Sequence, residues 1–251
     1  MMIAATGLTN QQRRLDTIAN NISNVNTTAY RNSRLEFKDA MYTAGISPGP
    51  PRTPDGNLQK GHGLMIAGIS KDFSGGSLQV TDRTLDVAIT GDGYFALDDG
   101  DGNIFYTRNG SFNLGLSGDD YYLVNAEGYF VLDAGGQRIQ LSEDGEGLLI
   151  DKNGVITTPE NQEGIALGIY TFRNVMGLSA EGSGNFAETE ASGERVVATD
   201  VTIKQGALEG SNVSLANEMT RLIRTQRAFS LVSRALTTAD EMQGIANNMR
   251  R

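Results

Sequence analysis

Two stretches of this chain carry apolar residues at helical spacing, and the segment between them carries them at strand spacing. At the N-terminal end Met1, Ala4, Leu8, Leu15, Ile18, Ile22 and Val25, with Gln11 interposed, advance by alternating steps of three and four. That is the 3.5-residue repeat of a helix with one narrow seam. At the C-terminal end Leu215, Met219, Leu222, Gln226, Phe229, Val232, Ala235, Ala239, Met242 and Met249 fall on a similar stripe, broadened by Ile223 and Ile245. Ser211 or Ser214 is placed to cap this second helix, with Glu218 near the capping-box position. At 1.5 Å per residue the first helix spans about 37 Å and the second over about 50 Å. Neither can bury its seam alone. Either the two pack on each other inside one globule, or the seam serves neighbouring subunits.

From about residue 64 to 210 the period switches to two. LDVAIT (85–90), YFALD (94–98), IFYTRN (104–109), YYLVN (121–125), GYFVLD (128–133), LLID (148–151), IALGIYTF (165–172) and VVATDVTI (196–203) read as short strands bounded by glycine. Asn109-Gly110 and Asn153-Gly154 are tight-turn signals. The form GYFxLD occurs twice, at 93–98 and 128–133, as a strand-and-turn unit reused within one β domain. Residues 44–63 hold all but one of the five prolines and almost nothing apolar, which predicts an exposed loop or extended segment. The expected organisation is α+β. Long N- and C-terminal helices (1–28 and 212–251) pair as a coiled-coil-like domain, flanking a connector (29–80), a β-rich, mostly antiparallel middle domain (81–194) and a return strand (195–211).

Charge separates the ends from the middle. Residues 1–34 hold four arginines against one aspartate, and residues 212–251 six arginines against three carboxylates. With −9 overall, residues 35–211 carry −15. An acidic middle argues against nucleic-acid binding, which needs a basic footprint. The basic ends read first as solvated helix faces and second as a surface for anionic lipid. The chain lacks cysteine, so it has no disulfide framework and no thiolate nucleophile. It has no apolar run long enough to span a bilayer, and MMIAATGL does not read as a cleavable leader.

The sequence offers little chemistry. His62, the only histidine, sits in the Gly/Pro-rich segment without acidic or nucleophilic neighbours at motif spacing. DDGDGN (98–103) begins like a calcium loop, but Ile104 stands where the loop needs glycine and Gly110 where it needs a bidentate glutamate, so a hairpin turn is the better reading. GDGYF lacks the features of a phosphate loop. No catalytic, cofactor-binding or metal-binding residues are assigned, and no small-molecule substrate is expected. A secreted β-rich carbohydrate-active enzyme would need carboxylates clustered on one face, which the sequence does not supply.

Three phrases carry a resemblance. ANNISNVNTTAY (19–30), LDVAITGDGYF (85–95) with YTRNGSF (106–112), and LEGSNVSLANEMTRLIRTQRAFSLVSRALTTADEM (208–242) resemble, in order, the signatures of the bacterial flagellar axial proteins, which form rod, hook and hook junction. The positions that carry it include Ala19, Asn20, Asn21, Asn24, Thr27, Tyr30, Asp86, Gly91, Gly93 and Asn212. Ala29 stands where the family has glycine, which disfavours a left-handed residue at that point. Tyr30 and Ser214 also depart from the usual pattern. The length and the long polar segment before Gly61-His62-Gly63 favour a rod member over a hook member.

The resemblance implies a structural function without catalysis. Subunits would stack helically, by contacts that do not close into a ring, into a rigid hollow shaft that transmits torque and passes exported subunits. Leu8, Leu15, Ile18, Ile22, Val25, Leu215, Met219, Leu222, Phe229, Val232 and Met242 would form the assembly seam. Implied partners are further copies, other rod and hook axial proteins, the flagellar type III export apparatus and the surrounding bushing rings. The implied location is the basal body in the cell envelope and periplasm, reached without a cleaved signal peptide.

Overall fold

The structure, a computed structural model, describes residues 2–40, 42–44, 59–61, 63–141, 148–158 and 164–249. His62 and positions 45–58 of the polar segment lie outside them. The chain divides into two compact units. A helical unit comprises Met1–Ser23, Ser33–Asp72 and Ser214–Arg251; a β-rich unit comprises Asn24–Asn32 and Phe73–Val213. Every paired strand among the described residues runs antiparallel, so the α+β class and the antiparallel middle hold.

In the helical unit α1 (Met2–Ser23) packs against α2 (Leu215–Met249) and against an antiparallel pair formed by Ser33–Asp39 and Leu64–Lys71. Much of the expected connector is therefore strand. On α1, Leu8, Leu15 and Ile22 are half-buried and Ile18 is buried. On α2 a covered row runs through Glu218, Leu222, Thr225, Phe229, Val232 and Leu236, in alternating steps of four and three. This seam differs in phase from the apolar stripe in the sequence. Leu215 and Met219 stay exposed, while Glu218 and Thr225 are buried. Counting apolar residues misses this because both polar side chains are satisfied locally. Thr225 Oγ1 donates to the Arg221 carbonyl at 2.8 Å, and Glu218 accepts from Arg221 at 2.7 Å. Ser214 precedes α2, and the Glu218 carboxylate turns inward, toward Asn21 and Arg221. From 237 to 249 every residue of α2 is exposed, Met242 included.

The β-rich unit is built around a sheet of ten strands among the described residues, with small satellite sheets. Tyr94–Asp98 lies inside it, pairing with Ile104–Thr107, Phe130–Val131 and Ile169–Thr171. Alternation explains why it is buried on both faces. Phe95 and Leu97 enter one apolar cluster with Val87, Phe112, Val131 and Ile203, while Tyr94 and Ala96 enter another with Tyr106, Phe172 and Phe186. Each such side chain stabilises by roughly 1.5–3 kcal/mol on burial. The two GYFxLD phrases pair with each other, Val131 opposite Leu97 and Phe130 opposite Asp98.

The strand Val87–Thr90 is completed by Thr202–Gln205, and Leu78–Val80 by Ala207–Glu209. The core thus reaches past 81–194, since Ile203 is buried in the main cluster. The DDGDGN segment is a hairpin turn. Asp99 accepts from the N–H groups of Asp101 and Asn103, with Gly100 and Gly102 at positive φ. Asn153-Gly154 also turns a hairpin, joining Leu149–Ile150 to Val155–Thr157. Asn109-Gly110 does not. Gly110 instead presses on the Val87 carbonyl, where any Cβ would collide, and its own carbonyl accepts the Val87 N–H at 3.0 Å.

Candidate assembly surface

The asparagines near the end of α1 hold neighbouring backbone. Asn21 is buried; its Nδ2 donates to the Ser33 carbonyl at 2.9 Å and its Oδ1 accepts the Ser33 N–H at 3.0 Å. It supplies both hydrogen bonds that a strand partner would give. Nδ2 also reaches Glu218 Oε2 at 3.4 Å, which joins the C-terminal end of α1 to the first turns of α2. Asn10, also buried, donates to the Leu64 carbonyl at 2.7 Å. Ser33 and Leu64 begin the two paired strands at opposite ends of their ladder. Two asparagines eleven residues apart, about 16 Å along the helix, therefore pin α1 along that ladder. A residue that is poor for helix propensity is kept because its amide matches a backbone edge.

α1 stops at Ser23, so Val25 lies beyond the helix and belongs to the β-rich unit. The chain turns through Asn24–Ala29. Thr27 donates backbone N–H to Asn24 O at 3.2 Å and its hydroxyl to Asn24 Oδ1 at 3.1 Å. Ala29 takes φ +55 and is buried, with its N–H donated to the Glu209 carbonyl at 2.8 Å. The left-handed geometry that alanine disfavours is adopted after all, because the turn and this hydrogen bond over-determine it. An L residue there costs about 1–2 kcal/mol relative to glycine, and the methyl's burial returns part of it. Ala29→Gly is expected to stabilise the β-rich unit by about 0.5–1 kcal/mol, read as a raised midpoint in urea denaturation.

Asn212 anchors the residues just after this turn. Its Oδ1 accepts the Asn32 N–H at 2.7 Å, its Nδ2 donates to Ser74 O at 3.0 Å, and its own N–H reaches Tyr30 O at 3.3 Å. Beside it lies a buried charge cluster. Glu209 accepts from Arg31 Nη1 and from Arg108 Nε, both at 2.8 Å, and from the Gly76 N–H at 2.7 Å. Arg108 also donates to the carbonyls of Gly91 and Ile89, and Arg31 to that of Ser74. Burial alone would raise the Glu209 pKa, but Arg108, Arg31 and the Gly76 N–H outweigh it and the net direction is down. Burial pushes the Tyr94 phenol up to about 12, so it stays neutral beside these cations. Gly91 sits at φ +106, and a Cβ on Gly93 would lie 2.7 Å from Ile169 Cγ2. Asp86 is buried beside Arg83, at 3.4 Å.

The signature positions thus fall on two kinds of place. Asn21 works in the helical unit; Asn24, Thr27, Tyr30, Asp86, Gly91, Gly93 and Asn212 work in the β-rich unit. Ala19 and Asn20 are exposed on α1. Sequence reasoning assigned no role to Asn10, Arg31, Arg108 or Glu209, and gave Glu218 only a capping role. The available signal was charge inside the quoted phrases, since Arg108 lies in YTRNGSF and Glu209 in LEGSNV. The surface left open is on α2, where Leu215, Met219, Ile223, Leu231, Met242, Ile245 and Met249 are 43–79% exposed.

An antiparallel β-rich unit locked by buried ions, with both chain ends committed to a helical unit that leaves one apolar helix face bare, defines a structural subunit. Three family models match the chain: "Flagella basal body rod protein" over residues 1–31, "Flagellar hook protein FlgE/F/G D1 domain" over 88–158, and "Flagellar basal body rod FlgEFG protein C-terminal" over 204–249. The flagellar basal-body rod protein FlgG of Borreliella burgdorferi is 41% identical, covering 99% of this chain and 97% of its own length. FlgG of Bacillus subtilis is 37% identical over 98% and 97%. The flagellar hook-basal body complex protein FlhP of Bacillus subtilis is 31% identical over 100% and 98%. The chain belongs to the flagellar basal-body rod protein family, and it is a structural rod subunit, not an enzyme.

Proposed function

We propose that this chain is the distal-rod member of the family, polymerising helically through its helical unit into a straight hollow shaft that transmits torque and passes exported subunits. The observation that carries the reading is the bare end of α2, where Met242, Ile245 and Met249 are 66%, 59% and 79% exposed. Apolar side chains in such a row gain free energy only when another surface covers them. Pairing of α1 with α2 is read as coiled-coil-like, from the alternating four and three steps of the covered α2 positions. The distal assignment is supported by the relatives named FlgG, at 41% and 37% identity over nearly the whole chain.

The exposed seam residues Leu215, Met219 and Met242 would contribute to contacts between copies. Leu8, Leu15, Ile18, Ile22, Leu222, Phe229 and Val232 would contribute by holding α1 and α2 together. Further partners are other rod and hook axial proteins, the type III export apparatus that delivers the chain, and the bushing rings around the shaft in the periplasm. Electron microscopy and sedimentation of concentrated protein test the reading. Straight filaments that form above a threshold concentration are expected. Supercoiled filaments would point to the hook branch, and a monomer at every concentration would overturn the assembly reading.

A further inference from the structure

The helical unit contains a cavity of about 240 Å³ lined by Arg14, Ile18, Arg34, Leu35, Glu218 and Arg221, among others. Its wall is mixed: Ile18, buried, and Leu35, half-buried, stand beside Thr17, Ser33 and the buried Glu218. Its rim is cationic. Arg221 is held by Glu218 at 2.7 Å, whereas Arg14 and Arg34 are exposed and form no ion pair among the described residues. Arg14 instead leans over the Phe37 ring at 5.9 Å. Arg14 and Arg34 thus offer the rim two guanidinium groups for a carboxylate, with Ile18 and Leu35 as the apolar contacts beside them.

The same chain carries carboxylates beside apolar side chains elsewhere on the same unit. Asp240 and Glu241 are exposed on the bare end of α2, next to exposed Met242 and Ile245. They form no ion pair among the described residues. They cannot reach their own cavity. Asp240 is nineteen residues beyond Arg221 on one continuous helix, about 28 Å away along its axis. Only another copy can bring the two together.

We propose that the acidic, apolar end of α2 in one copy docks into the arginine-rimmed cavity of the next, with Asp240 and Glu241 meeting Arg14 and Arg34 while Met242 covers Ile18 and Leu35. The inference rests on the assembly reading and names its contact. Because donor and acceptor patches are different surfaces, the contact is heterologous and propagates without closing.

Charge reversal tests it. One variant carries Arg14→Glu and Arg34→Glu; the other carries Asp240→Arg and Glu241→Arg. All four positions are exposed, and thermal melts of each variant verify that the fold is kept. Each variant alone is expected to raise the threshold concentration for filament formation by about tenfold or more, as like charges meet. An equimolar mixture of the two is expected to restore assembly, since each cavity then finds an opposite charge. Variants that assemble like the parent, or a mixture that fails to restore it, would overturn this contact and leave the assembly reading standing. A parent chain that never assembles would overturn both.

Discussion

Replacing Glu209 with alanine is expected to lower the stability of the β-rich unit by about 3–5 kcal/mol, the cost of leaving buried charge without its partner. Among the described residues Glu209 is the one carboxylate that faces both Arg31 and Arg108, and all three side chains are at most 7% exposed. Two cations share it, so its loss leaves both guanidinium groups in a dry setting. Arg31 already has Nε and Nη2 without an acceptor among the described residues. The hydrogen bond to the Gly76 N–H is lost as well. The surface pair Arg138–Asp98, at 2.7 Å with Arg138 39% exposed, gives the contrast: Arg138→Ala should cost at most about 1 kcal/mol. Urea unfolding followed by tyrosine fluorescence measures both.

The same cluster sets an acid limit. The Glu209 pKa lies below its ordinary value of 4.5 in the folded chain. The group therefore contributes stability that is fully present above that value and is lost as pH falls through the folded pKa. Glu209→Gln should flatten this acid limb while leaving the slope of stability above about pH 6 unchanged. An unaltered acid limb in the glutamine variant would show that other carboxylates govern acid unfolding.

The parts of the fold legible in the sequence are those where one signal dominates. Phe95 and Leu97 alternate with Tyr94 and Ala96, and period two sufficed to make that segment a strand. The unbroken apolar run Tyr94–Leu97 is the pattern of a strand covered on both faces, as it is here. Asn153-Gly154 turned a hairpin as the dipeptide suggests. Asn109-Gly110 did not, because a close approach to Val87 also demands glycine and outweighs the local preference. The phase of the α2 seam escaped reading for a related reason. Glu218 and Thr225 are polar, and their burial rests on partners that the apolar pattern does not display: Arg221 and Asn21 for Glu218, and the Arg221 carbonyl for Thr225. The ion cluster was hard to read because Arg31, Arg108 and Glu209 lie far apart in sequence, and only the tertiary fold brings their side chains together.

The largest effect on assembly is expected from Ile245→Asp, and the informative comparison is Ile18→Asp. Ile18 is 4% exposed and packs within the helical unit, whereas Ile245 is 59% exposed on the bare end of α2. A charge at Ile18 enters an apolar site without a partner, which costs several kcal/mol and loosens the helical unit itself. Ile18→Asp should therefore lose both the helical unit's unfolding transition and assembly, while the β-rich unit, with its own core, keeps its transition. A charge at Ile245 meets water in the isolated chain, so stability should change by no more than about 0.5 kcal/mol. In a polymer that position is covered in every subunit, and the penalty recurs at each contact, so filaments should fail to form. Motility and basal-body isolation from cells carrying each variant, alongside thermal melts of the purified proteins, separate the two outcomes. Normal filaments from Ile245→Asp would show that the end of α2 stays bare in the shaft, and the contact between copies would then have to be sought among Leu215, Met219 and Ile223.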